Sequence, residues 1–186
     1  MNNYGSERFA ACLHFTLMQE CPYPSNWGNP RNFSNDVGDP GGKTMDGLIQ
    51  VEYDRYRAQK GEPRRDVRQC TEDEGDDIYY HKYWLPYCPE LPPGLDLSFF
   101  DAEVNEGSHG VEILQHALGI SVDGKWGPQT DAAVKGIKNV SAVIRAFTER
   151  RTLMYRGFGG FTRFGKDWER RTSEIGAASL QMAVMA

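Results

Sequence analysis

Apolar residues recur at helical spacing along most of the chain, and alternating runs of β-branched residues are almost absent. The pattern predicts a mainly α fold. The clearest stripe comes first: Phe9, Leu13, Thr16 and Leu17 share one face of a helix expected over residues 6–20, with Ser6 as its cap. The pattern then stops. Residues 21–42 hold Pro22, Pro24, Pro30 and Pro40 with Gly28, Gly38, Gly41 and Gly42, which predicts a long loop with room for a short hairpin. A loop of that length is usually functional or without fixed structure.

Helical spacing returns over residues 45–59, with Leu48, Val51 and Tyr56 as inward positions. Thr71 and Glu74 make a Thr-x-x-Glu capping box that opens a helix running through residue 83 or 84. Pro86, Pro89, Pro92 and Pro93 enforce an extended connection. The dense apolar patch at 97–104 predicts a buried helix. Ser108 is the expected cap of the next, which carries Val111, Leu114 and Leu118 and stops at Gly119. Pro128 suits the first turn of another helix. A longer helix is expected over 141–155, with Ile144, Phe147 and Met154 inward, broken by Gly157, Gly159 and Gly160. Residues 168–175 read as a further helix and 177–185 as a loose tail.

Composition narrows the class. At 186 residues the chain is one domain, or one domain with a small appendage. No apolar run approaches the roughly 18–20 residues of a membrane span. A net charge of −5 argues against a general nucleic-acid binder. Charge is uneven, however. Residues 133–175 carry ten Lys and Arg against four Asp and Glu. These are either solvated helix faces or a basic lobe that meets an anionic polymer. The first residues show no basic stretch followed by an apolar run, so no secretory signal is expected. Cys12, Cys21, Cys70 and Cys88 form no Cys-x-x-Cys pair and are expected as free, buried thiols. Asp36-Val37-Gly38-Asp39 lacks the spacing of a calcium loop, and the four histidines make no His-Glu-x-x-His. Neither a metal nor a cofactor is implied.

The segment with the most chemistry is Glu20-Cys21-Pro22-Tyr23 followed by Asn35-Asp36-Val37-Gly38-Asp39-Pro40-Gly41-Gly42-Lys43-Thr44. A carboxylate at a helix end is followed by a Gly/Pro loop bearing further carboxylates and a hydroxyl. Such a loop can hold a carboxylate and a Thr side chain against a bound water. Asp36 and Asp39 are also ordinary turn-formers, and Thr44 an ordinary helix cap.

These residues resemble glycoside hydrolase family 108, the N-acetylmuramidases with a lysozyme-like fold. The family's pattern is Glu-Gly-Gly-Tyr, then Asn-Asp, then Asp-Pro-Gly-Gly-x-Thr. This chain has Glu20, Tyr23, Asn35-Asp36 and Asp39-Pro40-Gly41-Gly42-Lys43-Thr44. In order there follow Tyr79-Tyr80-His81-Lys82-Tyr83-Trp84 and Phe100-Asp101-Ala102-Glu103-Val104-Asn105-Glu106-Gly107. Leu114-Gln115-His116-Ala117-Leu118-Gly119 and Val122-Asp123-Gly124-Lys125-Trp126-Gly127-Pro128 resemble the peptidoglycan-binding segment that usually comes next. Gly165-Lys166-Asp167-Trp168-Glu169-Arg170-Arg171 is similar to the family's ending. Two departures stand out. Cys21-Pro22 replaces two glycines, and about ten extra residues around 24–33 separate Tyr23 from Asn35.

The resemblance implies a lysozyme-like helical fold with a long Gly/Pro active-site loop. It divides the chain into a catalytic lobe at 1–107, a peptidoglycan-binding-like helical segment at 108–175 and a tail at 176–186. Glu20 would be the general acid, Asp39 the base or water-holder and Thr44 a second water ligand, with inversion at the sugar favoured. Substrate contacts are expected from Tyr23, Asp101, Asn105, Gln115 and Trp126. Asp101 and Asn105 either line the sugar groove or hydrogen-bond the loop from below. Trp126 either stacks on a sugar or belongs to the core. The implied substrate is bacterial peptidoglycan, cut between N-acetylmuramic acid and N-acetylglucosamine. The implied setting is a phage or phage-like particle, with action on the cell wall after holin release or from the particle. Two other classes remain: a non-catalytic wall-binding or particle subunit, and a peptidase pairing Cys12 or Cys21 with His81, His109 or His116.

Overall fold

The computed structural model describes residues 7–35, 42–107 and 109–185. They form eight α-helices and one small sheet, in two compact units that divide between Leu85 and Pro86. The mainly α expectation holds. The sequence-based boundary at residue 107 does not coincide with this division, because helix α4 (Leu95–Glu106) packs with the helices that follow it.

In the first unit, α1 (Glu7–Glu20) buries Phe9, Cys12, Leu13, Thr16 and Leu17, the stripe read from the sequence. Residues 21–32 turn repeatedly and end in a short 3-10 helix at Pro30–Asn32 capped by Asn29. Strands β1 (Phe33–Ser34), β2 (Thr44–Met45) and β3 (Leu48–Ile49) make an antiparallel sheet in that order, pairing Phe33 with Met45 and Met45 with Leu48. Helix α2 (Gln50–Gln59) therefore starts five residues later than expected. The reason is the Asp46-Gly47 pair. Both residues have positive φ, 49° and 78°, the signature of the two-residue turn whose twist suits a hairpin. Val51, expected inward, is exposed.

Helix α3 (Glu72–Tyr79) opens on the expected capping box, with both reciprocal bonds of Thr71 and Glu74 present. It runs straight into a five-residue π-helix at Tyr80–Trp84. Phe9 of α1 meets Tyr80 edge-on at 5.1 Å and Trp84 at 5.6 Å, which ties α1 to this segment.

In the second unit, α4 is the central helix. Residues 95–103 are buried without a break, which explains why their sequence shows no polar face. Around α4 lie α5 (His109–Leu118), α7 (Val140–Arg156) and α8 (Phe161–Met185), while α6 (Pro128–Lys135) packs against α5. The expected cap Ser108 lies outside the described residues. The expected tail is the last stretch of α8, where Gly176 and Ser179 are buried and Ser98 of α4 bonds Ser179 at 2.8 Å. Met154, expected inward, is only half-buried.

Two of the ten basic residues in the 133–175 region are internal. Arg171 clamps Asp101 with two bonds, of 2.7 and 3.1 Å. Arg151 reaches Asp101 at 2.7 Å and Glu106 at 2.7 Å. Burial opposes the charge on Asp101, but the two guanidinium groups overcome it and hold the carboxyl below its usual range. The opposite holds for Glu103. It is buried, Glu106 stands near it, and one of its oxygens has no hydrogen-bond partner, so its pKa is pushed up to about 7.

A carboxyl whose folded pKa is raised stabilises the fold below its unfolded value and loses that contribution as pH climbs through the folded one. Thermal unfolding of the second unit should therefore occur at lower temperature as pH goes from about 5 to about 8. Glu103→Gln should flatten this slope and raise the melting temperature at pH 8, by no more than about 3 kcal/mol of stability. Calorimetry across that range checks it, and an unchanged slope in the variant would discount Glu103.

Candidate active site

Glu20 is the last residue of α1, at the mouth of the turning segment that follows. The helix ends there because Pro22 cannot extend it. Cys21 stays attached, its backbone N–H donating to the Leu17 carbonyl at 3.0 Å and its thiol to the same oxygen at 3.4 Å. Burial, aided by Asp46 and Glu20 nearby, pushes the Cys21 thiol up to about 11, and burial pushes Cys70 to about 12. Both are protonated near neutrality and poor nucleophiles. All four cysteines are buried thiols that form no disulfide, as expected.

The hairpin turn presses on Glu20. A Cβ placed on Gly47 would stand 3.0 Å from Glu20 Cβ, 3.2 Å from its Cγ and 2.7 Å from the Tyr79 hydroxyl. Only glycine combines that clearance with the positive φ. Asp46, 1% exposed, fixes the turn from the other side. Its carboxylate accepts from the Gly28 N–H at 2.9 Å and from Asn32 Nδ2 at 2.6 Å. Asn32 is itself saturated. Its amide also donates to the Tyr23 carbonyl at 3.0 Å, and its oxygen accepts from the Tyr23 N–H at 3.0 Å. Asp46 and Asn32 thus knot together the start of the loop, its inserted residues and the hairpin.

The insertion is docked rather than loose. Trp27 donates to the Cys70 carbonyl at 2.9 Å, and its ring lies where a side chain on Gly75 of α3 would have to be. Tyr23 accepts from Arg31 at its hydroxyl, with the guanidinium 5.6 Å from the ring centre.

Thr44 occupies the central strand, paired with Ser34 and Ile49, two residues before the turn that touches Glu20. Its hydroxyl donates to the Gly42 carbonyl at 3.4 Å. Asp36 and Asp39 lie outside the described residues.

The other expected contact residues belong to the second unit. Asp101 is fully buried between Arg151 and Arg171 and turns no face to solvent. Gln115 is spent on the 120–128 loop: its oxygen accepts from the N–H groups of Asp123 and Gly124, and its amide faces Asp123, the Lys125 carbonyl and Thr130. Trp126 is half-buried against Tyr87 and Phe99 at 5.2 and 5.7 Å, with its N–H on Asp131. Asn105 is exposed and donates to the Tyr155 hydroxyl at 2.8 Å.

Sequence reasoning missed Asn32, Asp46, Gly47 and Tyr79. The Asp-Gly dipeptide was the available signal, since it marks a hairpin when short apolar runs flank it.

Residues 28–107 match the family model described as glycosyl hydrolase 108. The solved structure of Brucella abortus SagA is similar over 94% of this chain and 95% of that one, with a TM-score of 0.77 and 26% identity. A search of the curated proteins found no match. The glycosyl hydrolase 108 match begins at Gly28, so Glu20 and Tyr23 precede it, while the inserted Asn32, the hairpin and Tyr79 fall inside it.

The knot should carry much of the first unit's stability. Asp46→Ala leaves the Gly28 N–H and the Asn32 amide without their buried acceptor, a loss of about 2–4 kcal/mol. Chemical denaturation read by circular dichroism measures it. A change under about 0.5 kcal/mol, ordinary for a surface site, would contradict the assignment.

Proposed function

We propose that this chain is a muramidase that cuts the β-1,4 bond between N-acetylmuramic acid and N-acetylglucosamine in peptidoglycan, with Glu20 as general acid. The observation that carries the reading is the meeting of Glu20 with the hairpin turn, on a sheet whose central strand bears Thr44. The glycosyl hydrolase 108 region and the likeness to SagA support a glycoside hydrolase.

Cleaving a glycosidic bond needs a protonated acid at the leaving oxygen and a second group that activates the attack. Glu20 fits the first role by its place at a helix end, half-buried against the hairpin turn. Asp39 is the proposed base or water-holder and Thr44 the second water ligand. Inversion requires about 6.5–9.5 Å between the two carboxyl groups, and the loop of residues 21–42 has the length to set it. The raised thiol pKa of Cys21 weighs against a cysteine peptidase. The proposed setting is wall lysis or penetration by a phage or phage-like particle.

Digestion of purified peptidoglycan, followed by mass spectrometry, tests the reading. Wild type should release fragments ending in reducing N-acetylmuramic acid, and Glu20→Gln should release none while keeping its melting temperature. Activity retained in that variant would remove Glu20 from the mechanism. Intact glycan with wild type would favour a binding role, and shortened peptides a peptidase.

The loop assignment is exposed separately. Asp39→Asn should lower the rate by about 100-fold or more, as loss of a general base does. Asp36→Asn should have a much smaller effect, and the reverse order would move the base to Asp36.

A further inference from the structure

Three segments meet beside Glu20: the end of α1, the hairpin turn and the end of α3. The third contributes Tyr79, which is 1% exposed. Its hydroxyl donates to the Asp46 carbonyl at 3.4 Å and sits on the same side of Gly47 as the base of Glu20. A buried hydroxyl is costly unless it is used. This one is used at the hairpin turn that stands against Glu20.

The local backbone is also unusual. Tyr79 is the last α-helical residue before the π-helix at Tyr80–Trp84, and π segments frequently occur at functional sites. The change of winding lets consecutive aromatic residues serve different neighbours. Tyr80 and Trp84 pack on Phe9 of α1, while Tyr79 addresses the hairpin turn.

We propose that Tyr79 is a positioning residue for Glu20. Its hydroxyl, steadied by Asp46 and admitted by the missing side chain of Gly47, walls one side of Glu20 and limits where the carboxyl can point. The inference rests on the reading of Glu20 as the acid.

The test compares wild type, Tyr79→Phe and Glu20→Gln on soluble peptidoglycan strands. Tyr79→Phe should lower kcat by about tenfold or more, the scale of a misplaced catalytic group, with KM changed less than about twofold. Its melting temperature should move by less than about 4 °C. The alkaline limb of kcat against pH should shift, whereas a simple packing defect lowers the curve without moving it. Wild-type kcat in Tyr79→Phe, with Glu20→Gln inactive, overturns the proposal and leaves Glu20 standing. An active Glu20→Gln overturns both. If Tyr79→Phe fails to fold, 3-fluorotyrosine at position 79 keeps the ring and makes the hydroxyl more acidic. An unchanged pH profile there overturns the proposal too.

Discussion

The buried bonds of Asp46 organise the first unit. This side chain sits at a turn that needs positive φ at two successive residues, and its carboxylate accepts from the middle and from the end of an inserted loop. A buried carboxylate left without donors would be costly, so the loop, the turn and Asn32 are kept in one arrangement. The arrangement sets Gly47 against Glu20. An insertion that lengthens the chain between Glu20 and the hairpin thus becomes part of what holds them together.

The second unit solves a different problem. Its central helix is buried on all sides over residues 95–103, and the side chains of Asp101, Glu103 and Glu106 point into the interior. Arg151 and Arg171 answer Asp101 and Glu106, so four charges balance. Glu103 is left over, and with its pKa pushed up to about 7 it carries only part of its charge near neutrality. This also revises the view of the basic stretch. Two of its arginines are structural, and its surface excess is smaller than the sequence count suggests. Exposed Arg163 and Lys166 remain available to an anionic polymer.

Helices were legible where their signals are local. The stripe of α1, the Thr71–Glu74 capping box, Pro128 at the start of α6 and the glycines after α7 all act within a few residues of themselves. The misreadings also have local causes. Residues 45–49 look helical by spacing, but the backbone preference of Asp46-Gly47 overrides the apolar pattern. Residues 176–186 are too small and mixed to announce a helix, yet α8 continues because its small residues let it lie close to α4 and α7.

The sequence by itself determined the helical class, the glycosyl hydrolase 108 resemblance and the prominence of Glu20, because each is written in contiguous residues or ordered motifs. Tertiary structure alone decided that Gln115 serves a loop, that Asp101 is locked between arginines 50 and 70 residues away, and that Tyr79 faces the turn beside Glu20. A side chain's type limits the bonds it can make. Which bond it makes depends on the burial and partners brought to it by distant parts of the chain, and no local pattern records them.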